Sequence, residues 1–280
     1  MGLLAAVFLG IVQAATEFLP VSSTAHLLVF GELLGHDLAD PRFRAFATII
    51  QSGTTLAVLA YFRGEIYTLA TAALRSLARG RPLETPSSRL AWFIALGTLP
   101  AAIAGKTLER QIEGLGNLVI AGSLVGLGLV LLAAERLASH RRAVEDVRWH
   151  DALLVGVGQA VALVPGSSRS GTTITTGMLL GFTREAAARF SFLLSVPIIL
   201  AAGAYKLWKT VPLLAGEPEW AIATGVGTAV SAVAGWFVID WLLGWLRTRT
   251  TYVFVVWRIA AGILVAVLVW KGILPAEHAP

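Results

Sequence analysis

The chain has 280 residues, 56% of them hydrophobic and only 14% charged, and its mean hydropathy is +0.74. A soluble domain carries about 25% charged residues, so composition excludes a soluble globule and indicates an integral membrane protein. The net charge of +5 sits in loops between apolar segments, as a topology signal and not a nucleic-acid footprint; the absence of cysteine excludes disulfides and thiolate metal sites.

The N-terminal stretch MGLLAAVFLGIVQAATEF lacks a basic n-region and an A-x-A cleavage site, so it is expected to be structure and not a signal peptide. Gly2–Val12 is apolar, but Gln13, Glu17, Ser22, Ser23, Thr24 and His26 interrupt before Leu27–Phe30. That segment is too polar for a simple span. Phe46–Phe62 is a full span, followed by an Arg-rich loop from Arg63 to Arg89. Leu90–Gly105 and Leu118–Ala134 are the next spans, and a basic loop, Glu135–His150, follows.

A second broken segment comes next. Ala152–Val164 and Ile174–Phe182 are apolar, and PGSSRSGTT, Pro165–Thr173, separates them. Neither flank has the roughly 20 apolar residues a spanning helix needs. Two half-helices meeting at a loop fit this pattern, because non-helical backbone at membrane depth must be buried in protein or line a wet cavity. Phe190–Trp208, Trp220–Ile239 and Tyr252–Trp270 complete the set of spans.

The halves repeat. QAATEFLPVSST, from Gln13, lies against QAVALVPGSSRS, from Gln159, with Pro20 over Pro165 and Ser22–Ser23 over Ser167–Ser168. Phe46…Tyr61 lies over Phe190…Tyr205 at an offset of 144, and GTLPAAIAG, from Gly97, over GTAVSAVAG, from Gly227, at 130. The expected fold is an all-α polytopic membrane protein in one domain, 1–280, with repeats at about 1–137 and 151–272. Each repeat holds one re-entrant helical hairpin and three transmembrane helices, giving six spans and two hairpins. An odd span count per repeat inverts the second relative to the first, and such folds place their site at the midplane between broken helices. The loops 63–90, 135–150, 183–189 and 246–250 hold 13 of the 22 basic residues. Seven (Arg42, Arg44, Lys106, Arg110, Lys206, Lys209 and Lys271) lie on the other side, and Arg169 and Arg258 lie at membrane depth. Positive-inside counting puts the 13 in the cytoplasm and both termini outside.

The chemistry should sit at the breaks. An Arg at membrane depth costs about 2.5–3.5 kcal/mol on insertion scales unless paired, so Arg169 needs an anion, either a carboxylate such as Glu17 or a ligand. The hydroxyls of Ser167, Ser168, Ser170, Thr172 and Thr173 favour a ligand rich in acceptor oxygens. Phosphate suits them, since helix N-termini and successive backbone N–H groups bind it. Glu17 follows Gln13 by four residues on one helix face, and with the Gln13 carbonyl could hold a hard cation such as Mg²⁺ or Ca²⁺, or simply neutralise Arg169. If Pro20 starts a helix, Ser22 and Ser23 lie near the His26 imidazole, the general form of an activated nucleophile; Ser22 could equally be a helix cap. Gln51, Ser52, Thr54 and Thr55 either line the cavity or bond helix to helix. Arg258 reads as structural or headgroup-contacting, and His36 and His278 as solvated.

QAATEFLPVSSTAH, Gln13 to His26, and PGSSRSGTT are similar to the two signature motifs of the undecaprenyl-diphosphate phosphatase (bacitracin-resistance) family, and the resemblance covers essentially the whole chain. It implies a bacterial inner-membrane hydrolase that converts undecaprenyl diphosphate to undecaprenyl phosphate and phosphate. That activity recycles the lipid carrier of cell-wall synthesis, with the site reached from the outer face and a divalent cation, Mg²⁺ or Ca²⁺, required. Carried over by position, the functional residues are Gln13, Glu17, Ser22, Ser23, His26, Ser168, Arg169, Ser170 and Thr173. Many members carry Glu where this chain has Gln13, which leaves Glu17 as the lone carboxylate of the pair.

The expected assignment makes Ser23 the nucleophile and His26 its base. Arg169 holds the equatorial oxygens in a cradle of Ser22, Gly166, Ser168, Ser170 and Thr173, and Glu17 with Gln13 holds the cation. Attack by His26 itself or by a metal-bound water remains open. The rival class is a transporter or flippase of a prenyl phosphate lipid, since inverted repeats with broken helices are also a transporter architecture. The expected partners are a prenyl diphosphate lipid and the membrane itself, with no nucleic acid; a homo-oligomer is compatible with the sequence.

Overall fold

The computed structural model describes residues 1–38, 40–113, 115–214 and 216–276. His278 and the side chain of Arg110, both weighed above, lie outside the described residues. Eleven α-helices and two short 3₁₀ turns make up the described chain, with no strand among the described residues. The helices are α1 (Leu3–Phe18), α2 (Ser23–Leu33), α3 (Pro41–Tyr61), α4 (Arg63–Ala78), α5 (Pro86–Glu113), α6 (Asn117–Leu137), α7 (Trp149–Val161), α8 (Arg169–Leu179), α9 (Arg184–Thr210), α10 (Pro218–Thr248) and α11 (Tyr252–Trp270). Six of them, α3, α5, α6, α9, α10 and α11, are long and apolar enough to cross a membrane, the number read from hydropathy. Their outer faces carry Leu137, Trp208 and Trp270, each more than three-quarters exposed. Such surfaces are tolerable only against lipid.

Between these spans stand two helix–break–helix units. The 16 residues of α1 rise about 24 Å and the 11 of α2 about 16 Å, both short of the roughly 30 Å hydrocarbon core. The first break has a local cause. Leu19 precedes Pro20, and its extended backbone (φ −65°, ψ 143°) is what a residue before proline adopts. Pro20 therefore lies in the break, so the condition that it start a helix is not met; α2 begins at Ser23. Ser22 turns the chain with φ +78°, and Ser168 does the same before α8 with φ +67°. Both α2 and α8 have 11 residues. Ser22 therefore matches Ser168, 146 positions on, as Gln13 matches Gln159. Pro20 consequently lies over Gly166 and not Pro165, and Ser23 over Arg169.

The units pack crosswise. α1 lies on α10, and α7 on α5. At Gly10, an added Cβ would stand 2.6 Å from the Gly227 carbonyl oxygen, and at Gly97 it would stand 2.6 Å from that of Ala152. Backbones this close admit only glycine, the small-residue logic of membrane helix packing. α2 contacts α11, α8 contacts α6, and α3 and α9 meet between the units.

The sequence reading makes 63–89 a loop, but α4 occupies most of it. The stretch TLATAALRSLA is rich in strong helix formers. Leu69 and Ser76 are buried, and Trp92 Nε1 on α5 donates to Ser76 Oγ at 3.1 Å. Tyr67, Leu74 and Leu77 stay exposed beside Arg75 and Arg79, the mixture of apolar and basic side chains that suits a membrane interface. Ion pairs of Glu65 with Arg189, Glu135 with Arg184, Asp151 with Arg142 and Glu185 with Arg247 gather the basic loops at one end of the bundle.

Candidate active site

The two breaks face each other across one cavity of about 320 Å³. Thr16, Glu17, Ser22, Ser23 and Thr24 line it from the first unit, and Gln159, Pro165, Gly166, Ser168 and Arg169 from the second. At its centre Glu17 Oε1 pairs with Arg169 Nη2, and Ser23 Oγ donates to Glu17 Oε2 at 2.8 Å. Gln13 Nε2 donates to the same Oε2 at 3.1 Å. Glu17 is 13% exposed and Arg169 28%; neither charge could be taken so far out of water without the other. Of the two alternatives open to Arg169, the carboxylate partner is met, at the wall of the cavity. Lys206 of α9 is the remaining lining cation, so the charged side chains of the wall sum to one positive charge.

Not every predicted residue reaches this cavity. Ser22, Gly166 and Ser168 line it, and Ser168 Oγ also accepts from the N–H of Gly171 at 3.1 Å, capping α8. Ser170 is buried and donates to the carbonyls of Glu17 and Leu19, both at 3.0 Å, which seams one unit to the other. Thr173 is also buried, bonded to the Arg169 carbonyl at 2.7 Å and to Ser191 of α9. Gln51, Ser52, Thr54 and Thr55 all line the cavity, and the three hydroxyls return to carbonyls of their own helix. His36 is stacked on Phe43 at 5.4 Å and is only partly exposed.

The expected Ser23–His26 hydrogen bond is not formed. Because α2 starts at Ser23, Ser22 O is the i−4 carbonyl of His26, and His26 Nδ1 lies 2.7 Å from it. Trp257 Nε1, a donor only, reaches His26 Nε2 at 2.7 Å. A carbonyl on Nδ1 and an indole N–H on Nε2 define a neutral imidazole protonated at Nδ1. His26 opens instead onto a separate apolar pocket of about 260 Å³ between α2 and α11. Ser23 turns the other way, to Glu17.

Arg258, read from the sequence as structural or headgroup-contacting, takes the structural role. It is 1% exposed, and its guanidinium donates to the carbonyls of Pro20 (3.1 Å), Ser167 (3.0 Å), Gly166 (3.4 Å), Ser123 (3.3 Å) and Leu124 (3.3 Å). One side chain of α11 thus ties both breaks to α6. Gln159 lines the cavity, though the sequence offers it only as a repeat marker. For a cation, no group of three His, Asp or Glu comes together among the described residues. Gln13 Oε1 is buried without a protein partner, next to the Glu17 carboxylate. Gln13 does not itself line the cavity, so a hard cation here would rest on Glu17 and the neighbouring Gln13 carboxamide oxygen and take its other oxygens from water and a substrate phosphate.

The fold and cavity define a class: a multi-pass helical membrane protein with a buried, ion-paired polar site between two broken helices. The family model of the bacitracin resistance protein BacA matches residues 6–264, and the chain belongs to that family. Among its relatives, a protein of Anaeromyxobacter sp. (strain Fw109-5) named undecaprenyl-diphosphatase is 80% identical over 279 residues, covering 100% of this chain and 92% of that protein. Proteins of the same name from Myxococcus xanthus (strain DK1622) and Chlorobium limicola (strain DSM 245 / NBRC 103803 / 6330) are 51% and 44% identical. They cover 97% and 99% of this chain, and 91% and 100% of their own lengths.

Proposed function

We propose that this chain is an integral membrane phosphatase that hydrolyses undecaprenyl diphosphate to undecaprenyl phosphate and phosphate, recycling the lipid carrier of cell-wall synthesis and so conferring bacitracin resistance. The observation that carries this reading is the Ser23 hydroxyl donating to Glu17 Oε2 at 2.8 Å while Arg169 holds the other carboxylate oxygen. Moving a lipid phosphate needs a cation such as Arg169 but no hydroxyl aimed at a carboxylate.

Phosphoryl transfer needs positioning and charge neutralisation more than covalent help. Arg169 turns its fork from Glu17 to the non-bridging oxygens of the terminal phosphate, with Ser22, the Gly166 backbone and Ser168 completing the cradle. Glu17, released from Arg169, accepts the Ser23 proton as Ser23 attacks, and undecaprenyl phosphate departs. Water then attacks the seryl phosphate as Glu17 returns its proton to the departing Ser23 oxygen, and the water's protons leave with inorganic phosphate. His26 keeps the α2 start in place through Ser22 and Trp257. Glu17 and Gln13 Oε1 would hold the divalent cation, Mg²⁺ or Ca²⁺, which when bound neutralises phosphate charge.

The finer architecture belongs to the same reading: the helix–break–helix units are re-entrant hairpins, and the halves are inverted repeats. Their crosswise packing and the matched turns at Ser22 and Ser168 support it. The basic loops gather at one end of the bundle. The cavity is lined from α9 by Ile198, Ala202 and Lys206, in the half of that helix away from Arg184. With the basic end cytoplasmic, the cavity opens toward the outer face and both termini lie outside. In this cysteine-free chain, Lys271→Cys should react in intact cells with an impermeant thiol reagent, and Arg79→Cys should not. The opposite labelling pattern overturns the orientation.

The activity is tested by phosphate release from a prenyl diphosphate in detergent with Mg²⁺ or Ca²⁺. Wild type should release phosphate. Arg169→Lys keeps the charge but loses the planar fork, and should raise KM and lower kcat together. A wild type that binds the lipid but releases nothing with either cation is a carrier.

A further inference from the structure

Gln159 stands in the last full turn of α7 and is 3% exposed. The residue lines the cavity that holds Glu17, Ser23 and Arg169, and its Nε2 and Oε1 are both buried without a hydrogen-bond partner in the protein. Burying a carboxamide with both ends unmatched is costly, and a residue required only for packing would be apolar.

The repeat shows how this came about. Gln13, the counterpart of Gln159, spends its Nε2 on Glu17, one turn along the same helix. The position matching Glu17 in the second unit is Leu163, which also lines the cavity. The second half thus keeps the amide and lacks the carboxylate that would occupy it. Two N–H donors remain unmatched in a residue that lines a site whose other groups suit an oxyanion.

We propose that Gln159 is a substrate-binding residue, its carboxamide N–H groups donating to phosphoryl oxygens of the diphosphate in this cavity. The proposal rests on the phosphatase reading for the identity of its ligand. It also explains the unmatched dipole, since ligand oxygens supply the missing acceptors. Either orientation of the amide serves, because neither end is pinned by the protein.

The test uses the purified full chain in detergent with inorganic pyrophosphate as the probe and a chelator present, so that no cation contributes. Gln159→Met keeps length and volume while removing the polar atoms. Its affinity for pyrophosphate should fall about tenfold, the loss expected for a hydrogen bond to a charged group. The melting temperature without ligand should stay level or rise, since an unmatched amide is gone. A packing role predicts the reverse: a lower melting temperature and unchanged pyrophosphate affinity, which overturns the proposal. Should the Met variant not fold, Gln159→Glu preserves the shape and removes the donors; affinity within twofold of wild type overturns the proposal equally. A wild type that does not bind pyrophosphate also overturns it. Failure of wild type to release phosphate from a prenyl diphosphate overturns the phosphatase reading instead, so the two failures are told apart.

Discussion

Replacing Ser23 by alanine should abolish phosphate release, with a loss of at least about 10³-fold, the scale expected when a nucleophile is removed. Lipid binding should remain, because Arg169 and the N-terminus of α8 are untouched. The expectation follows from the direction in which Ser23 points. Its hydroxyl donates to Glu17 Oε2 at 2.8 Å, in the cavity that also holds Arg169. A lost hydrogen bond of 1–3 kcal/mol would cost only roughly 5–150-fold, so the size of the loss discriminates. If Ser23→Ala retains more than about a tenth of wild-type turnover, Ser23 is a phosphate contact and water or His26 attacks.

Arg258→Met should be the most damaging single change away from the reacting groups. The substitution keeps the apolar stem and removes every guanidinium donor to the carbonyls of Pro20, Gly166, Ser167, Ser123 and Leu124. The carbonyls of Ser123 and Leu124 keep their helical donors in α6, but leaving those of Pro20, Gly166 and Ser167 unmatched costs about 1–3 kcal/mol each, and partial relaxation should leave a net loss of about 3–5 kcal/mol. At roughly 2–4 °C per kcal/mol for a chain of this size, the melting temperature in detergent should fall by about 10 °C. Turnover should fall about 10²-fold in the surviving protein, the usual consequence of a shift on the order of 1 Å between reacting groups. Arg258→Lys restores charge but not the fan of donors, and should recover little of either. A melting temperature unchanged from wild type would show that α11 does not hold the breaks.

Much of this architecture is legible in the chain because a membrane simplifies the rules. Apolar run length alone separates the six spans from the two broken segments, and the demand for a partner at depth ties Arg169 to Glu17. What escapes is of three kinds. α4 is hidden by its arginines, which read as loop although the Leu- and Ala-rich surface between them makes a helix that packs on α5. The partner of His26 is Trp257, 231 residues away, and no local spacing announces it; the local spacing to Ser22 and Ser23 points elsewhere. Gln159 carries no charge and belongs to no acid–base pattern, so only its place in the cavity wall gives it meaning. The sequence match between the two units is visible, but matching proline to proline misplaces the turn by one residue, because what the two units share there is a backbone conformation at Ser22 and Ser168.

The crosswise packing sets a timetable for synthesis. α1 emerges first, but its surface is completed by α10, and the carboxylate of Glu17 is neutralised by an arginine 152 residues further on. At ribosomal rates of about 5–20 residues per second, Glu17 enters the membrane on the order of ten seconds or more before Arg169 is made. Through that interval the first unit is a short helix with a bare acid. It must wait near the lipid headgroups, or in the care of the insertion machinery, until the second unit arrives to close over it. The nascent first half therefore carries one wall of the cavity and waits for the second unit to supply the other.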